Sequence, residues 1–189
     1  MNGASMKYML AAVVALIQTG VLGYMIESRA SILRDGREVV LLTEPVDPRD
    51  LMRGDYVILG YPISRLAHAV IQGTPPPSDG VQTVQVALVP GENGRFVFSR
   101  ASWQPIADLK PEEVVLVGYT PDSFYIGTET VPLTYGIERF YVPEGEGKPI
   151  EEGVGERRVD VVLAVTDDGK AQVRALRLDG QSLYEEPLY

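Results

Sequence analysis

The chain has 189 residues and a formal net charge of −9, with 26 acidic against 17 basic side chains. This charge disfavours binding to DNA, RNA or anionic lipid surfaces, because contacts with phosphates need clustered Lys and Arg. The absence of cysteine excludes disulfides, thiolate metal sites and a thiol nucleophile, and a single histidine, His68, leaves little for a His-based metal site or catalytic triad. We therefore expect no nucleic-acid partner and no cofactor, and we expect His68 to be a half-exposed polar residue.

The first predicted element is an N-terminal membrane anchor. Residues 8–26 carry no charged side chain, and apolar residues surround the predicted helix on all sides. A helix of this length rises about 28 Å, close to the hydrocarbon thickness of a bilayer. Tyr8 and Tyr24 lie near its ends, where interfacial aromatic residues are favoured. We predict that residues 8–26 contact membrane lipid, that residues 1–30 form the anchor, and that residues 31–189 form one folded domain.

A cleaved signal peptide is the main alternative to a retained anchor. Ser28 and Ala30 are small residues at the two positions that a signal peptidase reads. The apolar run, however, exceeds the usual length of about 7–15 residues, which favours retention. The basic residues that flank the segment lean towards a cytoplasmic domain, but a domain of this length can be translocated despite them. Charge alone therefore does not decide the orientation.

The rest of the chain is predicted to form many short β-strands. A Gly-Glu-Asn-Gly turn at residues 91–94 separates two alternating runs, and Asp-Asp-Gly at residues 167–169 separates two more, which predicts two hairpins. Residues 114–119 and 124–128 are predicted to form a further pair. The predicted strands are residues 38–42, 55–61, 81–89, 95–103, 114–119, 124–128, 159–165 and 171–178.

Few helices are predicted beyond the anchor. Residues 48–52 could form one turn, and residues 63–71 place apolar side chains at helical spacing. Residues 73–80 have the composition of a loop. Many short strands with few crossover helices predict a mainly β fold, either an antiparallel sandwich or a partly open barrel, behind one transmembrane helix.

The most distinctive stretch is Gly-Asp-Tyr-Val-Ile-Leu-Gly-Tyr at residues 54–61. Side chains alternate along a strand, so Asp55 and Tyr61 are expected on one face and Tyr56 on the other. Apolar groups occupy both faces. This pattern predicts a central strand, or a strand whose unoccupied face meets a partner.

A second aromatic and charged block lies at residues 135–146, where Tyr135, Glu138, Arg139 and Tyr141 occur close together. In one interpretation the block is a recognition site, with Arg139 binding a carboxylate between tyrosine rings. In the other it is a strand edge and a loop, and Arg139 pairs with a local acid. Both interpretations stay open.

The stretch at residues 54–61, read as Gly-Asp-Tyr-x-x-Leu-x-Tyr, resembles the signature of the bacterial membrane-anchored GDYXXLXY family. The block at residues 135–145 and the closing strands with Asp179-Gly180 are similar to further parts of that family. The resemblance implies an uncleaved anchor in the bacterial inner membrane and a domain on its outer side, and it brings no established activity. On these two blocks we place the candidate recognition residues, which are Asp55, Tyr56, Tyr61, Tyr135, Glu138, Arg139 and Tyr141.

The region around Pro48 has a weaker similarity to type I signal peptidases, which also lie behind an N-terminal anchor on a β scaffold. Their Ser-Met-x-Pro pattern would put the nucleophile at position 45, where this chain has Pro45. Ser-Lys chemistry also needs a desolvated amine, and no lysine beyond the anchor lies in a matching apolar strand. The similarity therefore implies at most a shared scaffold without the chemistry.

Adjacent carboxylates occur at residues 112–113, 151–152, 167–168 and 185–186. Neighbouring residues on a strand point to opposite faces, so such pairs seldom share a site. None of them has the spacing of a calcium-binding loop. We predict solvated charge at these positions.

Three hypotheses for the function follow. The first is a non-catalytic accessory domain that binds an integral membrane protein in the bacterial cell envelope. The second is an extracytoplasmic binding module for a small ligand or envelope polymer, with the tyrosines of both blocks, Arg139 and Trp103 as its surface. The third is an unrecognised hydrolase that depends on two carboxylates with pKa values pushed apart. We favour the first, and with it the absence of catalytic residues.

Overall fold

The computed structural model describes residues 3–45, 56–77, 79–125, 127–141, 147–156 and 158–186. Its regular elements include a long N-terminal helix, a short second helix and many strands. In chain order they are α1 (Gly3–Asp35), β1 (Arg37–Leu42), β2 (Tyr56–Ile58), β3 (Arg65–Ala67), β4 (Ile71–Gln72), β5 (Thr83–Pro90), β6 (Phe96–Ser102), β7 (Val114–Tyr119), β8 (Thr130–Pro132), β9 (Arg139–Tyr141), α2 (Gly147–Gly155), β10 (Val159–Val165), β11 (Ala171–Leu178) and β12 (Gln181–Glu185).

Helix α1 extends beyond the predicted anchor and runs without a break into the domain. It is long and apolar enough to cross a membrane. Residues 6–29 are exposed, whereas Ala30 and Leu33 are buried where the helix contacts β10 and β11. Arg174 of β11 donates a hydrogen bond to the backbone carbonyl of Leu33. The last turns of α1 are therefore part of the domain, and no linker separates it from the apolar segment.

The first four-stranded sheet has the order β1-β10-β11-β12, with every neighbouring pair antiparallel. The predicted hairpin at residues 159–178 is confirmed, and Gly169 supplies the left-handed φ of +83° in its turn. Strands β11 and β12 are joined by Asp179 and Gly180 alone, both at positive φ, as expected of a two-residue hairpin loop. Every residue of β10 is buried, because this strand is central and covered on both faces.

The second four-stranded sheet has the order β4-β6-β5-β7. The predicted hairpin of β5 and β6 is confirmed, with Asn93 and Gly94 at positive φ in its turn. Strands β5 and β7 are also antiparallel, whereas the short strand β4 joins β6 in parallel. Two-stranded ribbons, β2 with β9 and β3 with β8, lie outside the two larger sheets.

Both sheets contribute to one hydrophobic core, which includes Val39, Leu163, Val86 and Leu116. The mainly β, antiparallel prediction is confirmed, and the sheets do not close into a barrel. Burial of apolar side chains from both sheets is the main stabilising contribution, at about 25 cal/mol per Å² of apolar surface.

Two local predictions are wrong. Strand β7 pairs with β5 rather than with residues 124–128, and the described residues of that segment lie outside any strand. Gly127 has a φ of +98°, a left-handed backbone conformation that interrupts an extended strand at this position. The helix predicted at residues 63–71 is instead two 3₁₀ turns flanking β3, and then β4, because β3 pairs with β8. This tertiary pairing overrides the helical spacing.

Strand β2 is shorter than predicted, and within the described part of the chain it pairs with β9 alone, in a two-stranded ribbon and not as the central strand of a larger sheet. The predicted faces are correct for the described residues, because Val57, Leu59 and Tyr61 are buried while Tyr56 and Ile58 are half-buried. Asp55 and the turn predicted at residues 48–52 lie outside the described residues.

Candidate functional site

The two sequence blocks of the family signature meet in space. Strands β2 and β9 pair in antiparallel register, with Tyr56 opposite Tyr141 and Ile58 opposite Arg139. The backbone N–H of Leu59 donates to the carbonyl of Glu138 at 2.8 Å, which extends the contact beyond the ribbon. The fold therefore joins two segments about 80 residues apart in the chain, a long-range pairing that local patterns do not reveal.

Tyr61 and Tyr135 lock the two blocks together from inside the core. The Tyr61 hydroxyl donates to the Ile137 carbonyl at 2.8 Å, and the Tyr135 hydroxyl donates to the Ile63 carbonyl at 2.8 Å. Each block thus binds the backbone of the other. Tyr61 is only 2% exposed, so its ring is not available to a partner at the surface.

The electrostatic surroundings keep both phenols protonated. Burial raises the pKa of Tyr61 well above its ordinary value, and the nearby Glu138 carboxylate raises it further. The pKa of Tyr135 is raised by the same two causes in the same order. These hydroxyls are therefore neutral hydrogen-bond donors and not bases or nucleophiles.

The Glu138 side chain shapes the turn before β9. Its carboxylate accepts hydrogen bonds from the backbone N–H groups of Tyr135 and Gly136, the latter at 3.0 Å. Gly136 has a φ of +79°, which favours glycine at that position. Glu138 consequently positions the start of β9 and makes these contacts within its own segment.

Three of the remaining candidates form a group at the surface, here called the surface cluster, which consists of the half-buried Tyr56 and the exposed Arg139 and Tyr141. The rings of Tyr56 and Tyr141 lie 6.0 Å apart at 57°, and the Arg139 guanidinium carbon lies 5.8 Å from the centre of the Tyr56 ring. Tyr141 is 69% exposed. No described carboxylate pairs with Arg139, and its neighbours Glu144 and Glu146 lie outside the described residues. Amphipathic rings beside an arginine are typical of binding surfaces.

A groove opens between α1 and the domain beside this cluster, and it is here called the anchor groove. Its volume is about 800 Å³, its walls are residues 24–32 of α1 on one side and β9 with the β10–β11 turn on the other, and Arg139 and Tyr141 line it. Arg29 and Lys170 add two more cations. Sequence reasoning missed these two residues, because only the docking of α1 on the sheet brings them beside β9.

The other sequence candidates lie elsewhere. Trp103 is buried and packs against His68 and Phe124, with ring centres 5.8 and 6.1 Å away, instead of joining the surface cluster. His68 is half-buried, as predicted. Among the described residues no group of three or more His, Asp or Glu side chains could hold a metal ion.

The prediction of solvated charge is wrong at Glu113. This side chain is only 2% exposed and pairs with Arg100 at 2.8 Å. It also accepts a hydrogen bond from the backbone N–H of Lys110 at 3.0 Å. Asp168 is paired as well, with Lys170 at 2.6 Å, although both of these side chains are exposed.

We expect Tyr61→Phe to lower the free energy of unfolding by about 1–2 kcal/mol, because it leaves the buried Ile137 carbonyl without its donor. Tyr56→Phe is the matched control, since Tyr56 is half-buried, and it should change stability by less than about 0.5 kcal/mol. Chemical denaturation of the detergent-solubilised chain, followed by Trp103 fluorescence, measures both. Equal effects of the two variants would contradict the locking role of Tyr61.

Comparison with known proteins finds one match. The family model described as GDYXXLXY protein matches residues 18–176, which include both signature blocks and the end of α1. No curated protein and no solved structure matches the chain significantly. The weaker similarity to type I signal peptidases gains no support from these comparisons. Because the family model spans most of the sequence, the chain belongs to the GDYXXLXY family.

Proposed function

We propose that the chain is a single-pass protein of the bacterial inner membrane whose β domain acts as a non-catalytic accessory to an integral membrane protein. The surface cluster is the docking site in this proposal. The domain lies on the outer side of the membrane, as the family resemblance implies. The observation that carries the proposal is an exposed arginine–tyrosine cluster beside a helix that is long and apolar enough to cross a bilayer.

The position of the surface cluster favours a partner within the membrane. Arg139 and Tyr141 line the same groove as Tyr24 and Met25, which lie in the apolar part of α1. The cluster is therefore close to the level at which a membrane-spanning α1 would leave the bilayer. A protein embedded in the same membrane reaches this level without a projecting domain of its own.

The chemistry of the cluster also fits protein recognition. Tyrosine and arginine are enriched among the residues that dominate binding energy at interfaces, because each combines a large contact area with polar groups. Ile58, half-buried on the same face of β2 as Tyr56, adds apolar area next to the cluster. A partner that covered this face would bury the apolar side chains that β2 carries on its second side.

The test is a pull-down of the tagged chain from gently solubilised native membranes, with partners identified by mass spectrometry. We expect a near-stoichiometric integral membrane protein with the wild-type chain. Tyr56→Ala and Arg139→Ala should each reduce its recovery at least about tenfold, the loss typical of an interface residue worth about 1.4 kcal/mol or more.

Tyr125→Ala is the matched control, because Tyr125 is an exposed tyrosine outside the surface cluster and the anchor groove. Its recovery of the partner should equal that of the wild type. A chain that is purified without any membrane protein would overturn the accessory role. Equal losses for all three variants would overturn the assignment of the docking site to the surface cluster.

A second candidate function is a binding module for a small ligand or envelope polymer. The anchor groove favours it, since its volume of about 800 Å³ lies within the range of about 300–1,000 Å³ typical of ligand sites. Thermal stabilisation of the solubilised chain by such a ligand would support this second candidate.

A further inference from the structure

The geometry of α1 sets the height of the anchor groove relative to a bilayer. The uncharged residues 8–26 of the helix are exposed, and at 1.5 Å per residue they rise about 28 Å. This length matches the hydrocarbon core of a membrane, which is about 30 Å thick. Tyr24 and Met25, close to the end of this segment, line the anchor groove, and Arg29 lies just beyond it. A membrane-spanning α1 therefore holds the groove open at the level of the lipid headgroups.

The lining of the anchor groove is apolar next to the membrane-spanning part of α1 and cationic farther from it. A phospholipid has the same order, with apolar acyl chains and a charged headgroup. Tyr24 and Met25, the lining residues of α1 nearest its apolar segment, form an amphipathic and apolar wall, and Arg29 follows one turn later. Arg29 lines the groove from α1, and Arg139 lines it from β9 on the opposite wall. Apolar groups near the bilayer with cations above them match an acyl chain and a phosphate headgroup, because guanidinium binds phosphate through charge-assisted hydrogen bonds.

The Arg29 side chain is held in place by a neutral partner. In the amide orientation that satisfies both groups, the Gln172 nitrogen donates to the Arg29 carbonyl at 3.1 Å and the Gln172 oxygen accepts from Arg29 Nε at 2.9 Å. No described carboxylate is within ion-pair distance of Arg29, so its charge is available to an anion.

The acidic groups that line the groove form no described ion pair with Arg29 or Arg139. Asp168 is engaged by Lys170 at 2.6 Å, and Glu186 is the other carboxylate on the lining. The net charge of −9 still argues against adhesion of the whole surface to anionic lipid. Charges beyond about 8 Å are largely screened at physiological salt, however, so the groups that line the groove determine binding within it.

We propose that the anchor groove binds the headgroup of an anionic phospholipid from the surrounding leaflet, with Arg29 and Arg139 on its phosphate. The inference rests on the membrane anchoring in the proposed function, but not on the protein partner. A single lipid bound there would fill the space between α1 and the domain. It would also fix the orientation of the domain, and with it that of the surface cluster, relative to the membrane plane.

The test measures lipid retained by the full chain in nanodiscs of phosphatidylglycerol or of phosphatidylcholine, by native mass spectrometry after transfer to detergent. We expect the wild type to retain phosphatidylglycerol in preference to phosphatidylcholine. The double variant Arg29→Gln with Lys170→Gln should weaken this retention about fivefold per positive charge removed, because the first change deletes a phosphate contact and the second leaves the Asp168 carboxylate without its Lys170 partner in the groove. Neither residue belongs to the surface cluster, so partner recovery in the pull-down should be unchanged.

Arg65→Gln with Lys110→Gln is the matched control, because it removes the same charge at exposed positions away from the anchor groove. Its lipid retention should equal that of the wild type. Equal retention of both lipids, or equal losses in the two double variants, would overturn the proposal. Displacement of the phosphatidylglycerol by inorganic phosphate at millimolar concentration would overturn it as well, since a free anion would then suffice.

Two further outcomes separate this proposal from the proposed function. If Tyr56→Ala abolishes partner recovery but leaves lipid retention intact, the groove and the docking site act independently, which supports both assignments. If alkaline carbonate extracts the chain from native membranes, anchoring itself fails and both proposals fall with it. A protein segment crosslinked into the groove, in place of lipid, would overturn only the lipid proposal.

Discussion

Gly36→Ala is expected to destabilise the domain more than any other single methyl addition at the helix–domain junction. Gly36 lies between α1 and β1, and its N–H donates to the Ile32 carbonyl at 2.9 Å. A Cβ at this position would lie 2.5 Å from the Ile32 carbonyl oxygen and 2.9 Å from the Val165 backbone nitrogen. Both contacts are with backbone atoms, which cannot rotate away as a side chain can. We expect a loss of about 3 kcal/mol or more, the upper part of the range for overpacking.

The same substitution should loosen the attachment of α1 to the sheet. To relieve the contact, the end of the helix must move away from β10, which would disturb the burial of Ala30 and Leu33. Local opening of this kind exposes the backbone to proteolysis. Trypsin should therefore cleave after Arg34 or Arg37 faster in Gly36→Ala than in the wild type, in detergent or nanodiscs alike.

Gly23→Ala provides the control on the same helix. A Cβ at Gly23 would meet nothing within 4 Å, and alanine has the higher helix propensity. Its unfolding and its rate of tryptic cleavage should match those of the wild type. A Gly36→Ala chain with unchanged stability and unchanged cleavage would mean that the helix end adapts freely. The end of α1 would then not be rigidly attached to the domain, and the position of the anchor groove relative to the bilayer would not be fixed.

The parts of the fold that could be predicted from the sequence are those with local signals. The hairpins β5–β6 and β10–β11 have alternating runs joined by turns that contain Gly or Asn, and both the strands and their pairing are as predicted. Helix α1 was predictable because residues 8–26 form an uncharged, apolar run. In contrast, β3 and β8 have three residues each and are strands only because they pair with one another across the chain.

Helix α2 could not be predicted from the helix propensities of its residues. Its sequence, Gly147–Gly155, contains several glycines and a proline, all poor helix formers. Ile150 and Val154 are buried at a spacing of four, so tertiary packing of one face stabilises the helix. No periodic signal of sufficient length was present in the sequence to predict it.

The sequence predicted which residues belong to the candidate site, but not which of them are buried and which are exposed. The alternation in residues 54–61 already placed Tyr61 on the face of Val57 and Leu59, and that face is buried. It did not tell whether Tyr135 or Tyr141 would be the exposed tyrosine of the second block. That depends on the pairing of β9 with β2, which turns Tyr141 to the surface beside Tyr56. The anchor groove was not predictable at all, because it requires the docked position of α1.

The junction at Gly36 is connected to the second sheet through the residue that follows it. The Arg37 guanidinium donates to the carbonyl oxygens of Pro111 and Glu113, at 2.9 and 3.2 Å, and to that of Glu112. The turn before β7 is thereby tied to the start of β1. The Glu113 side chain in turn binds Arg100 of β6. Displacement of the helix end and loss of the Glu113 carboxylate should therefore affect the same connection between the sheets.

Glu113→Gln is expected to lower the free energy of unfolding by about 2–3 kcal/mol at neutral pH. The variant removes the charge that pairs with Arg100, and a buried pair that loses one partner is strongly destabilised. The expected loss is below the usual range for such pairs, because Arg100 is 22% exposed and keeps its contact with Asp108. Trp103 lies just after β6 and is buried, so its fluorescence during denaturation follows this region.

The difference between Glu113→Gln and the wild type should depend on pH in a defined direction. The hydrogen bond from Arg100, followed by that from the Lys110 backbone N–H, lowers the pKa of Glu113 below its ordinary value. A lowered folded-state pKa stabilises the fold above the unfolded-state value of about 4.3, and this stabilisation is lost as the pH falls through the folded-state pKa. The stability gap should therefore be full at about pH 7 and should narrow below about pH 4. Glu112→Gln removes the same charge at the exposed neighbouring residue and should show no such gap. A gap that stays constant down to about pH 2 would mean that the charge of Glu113 contributes nothing and that the variant loses stability only because an amide cannot accept both the Arg100 and the Lys110 hydrogen bonds.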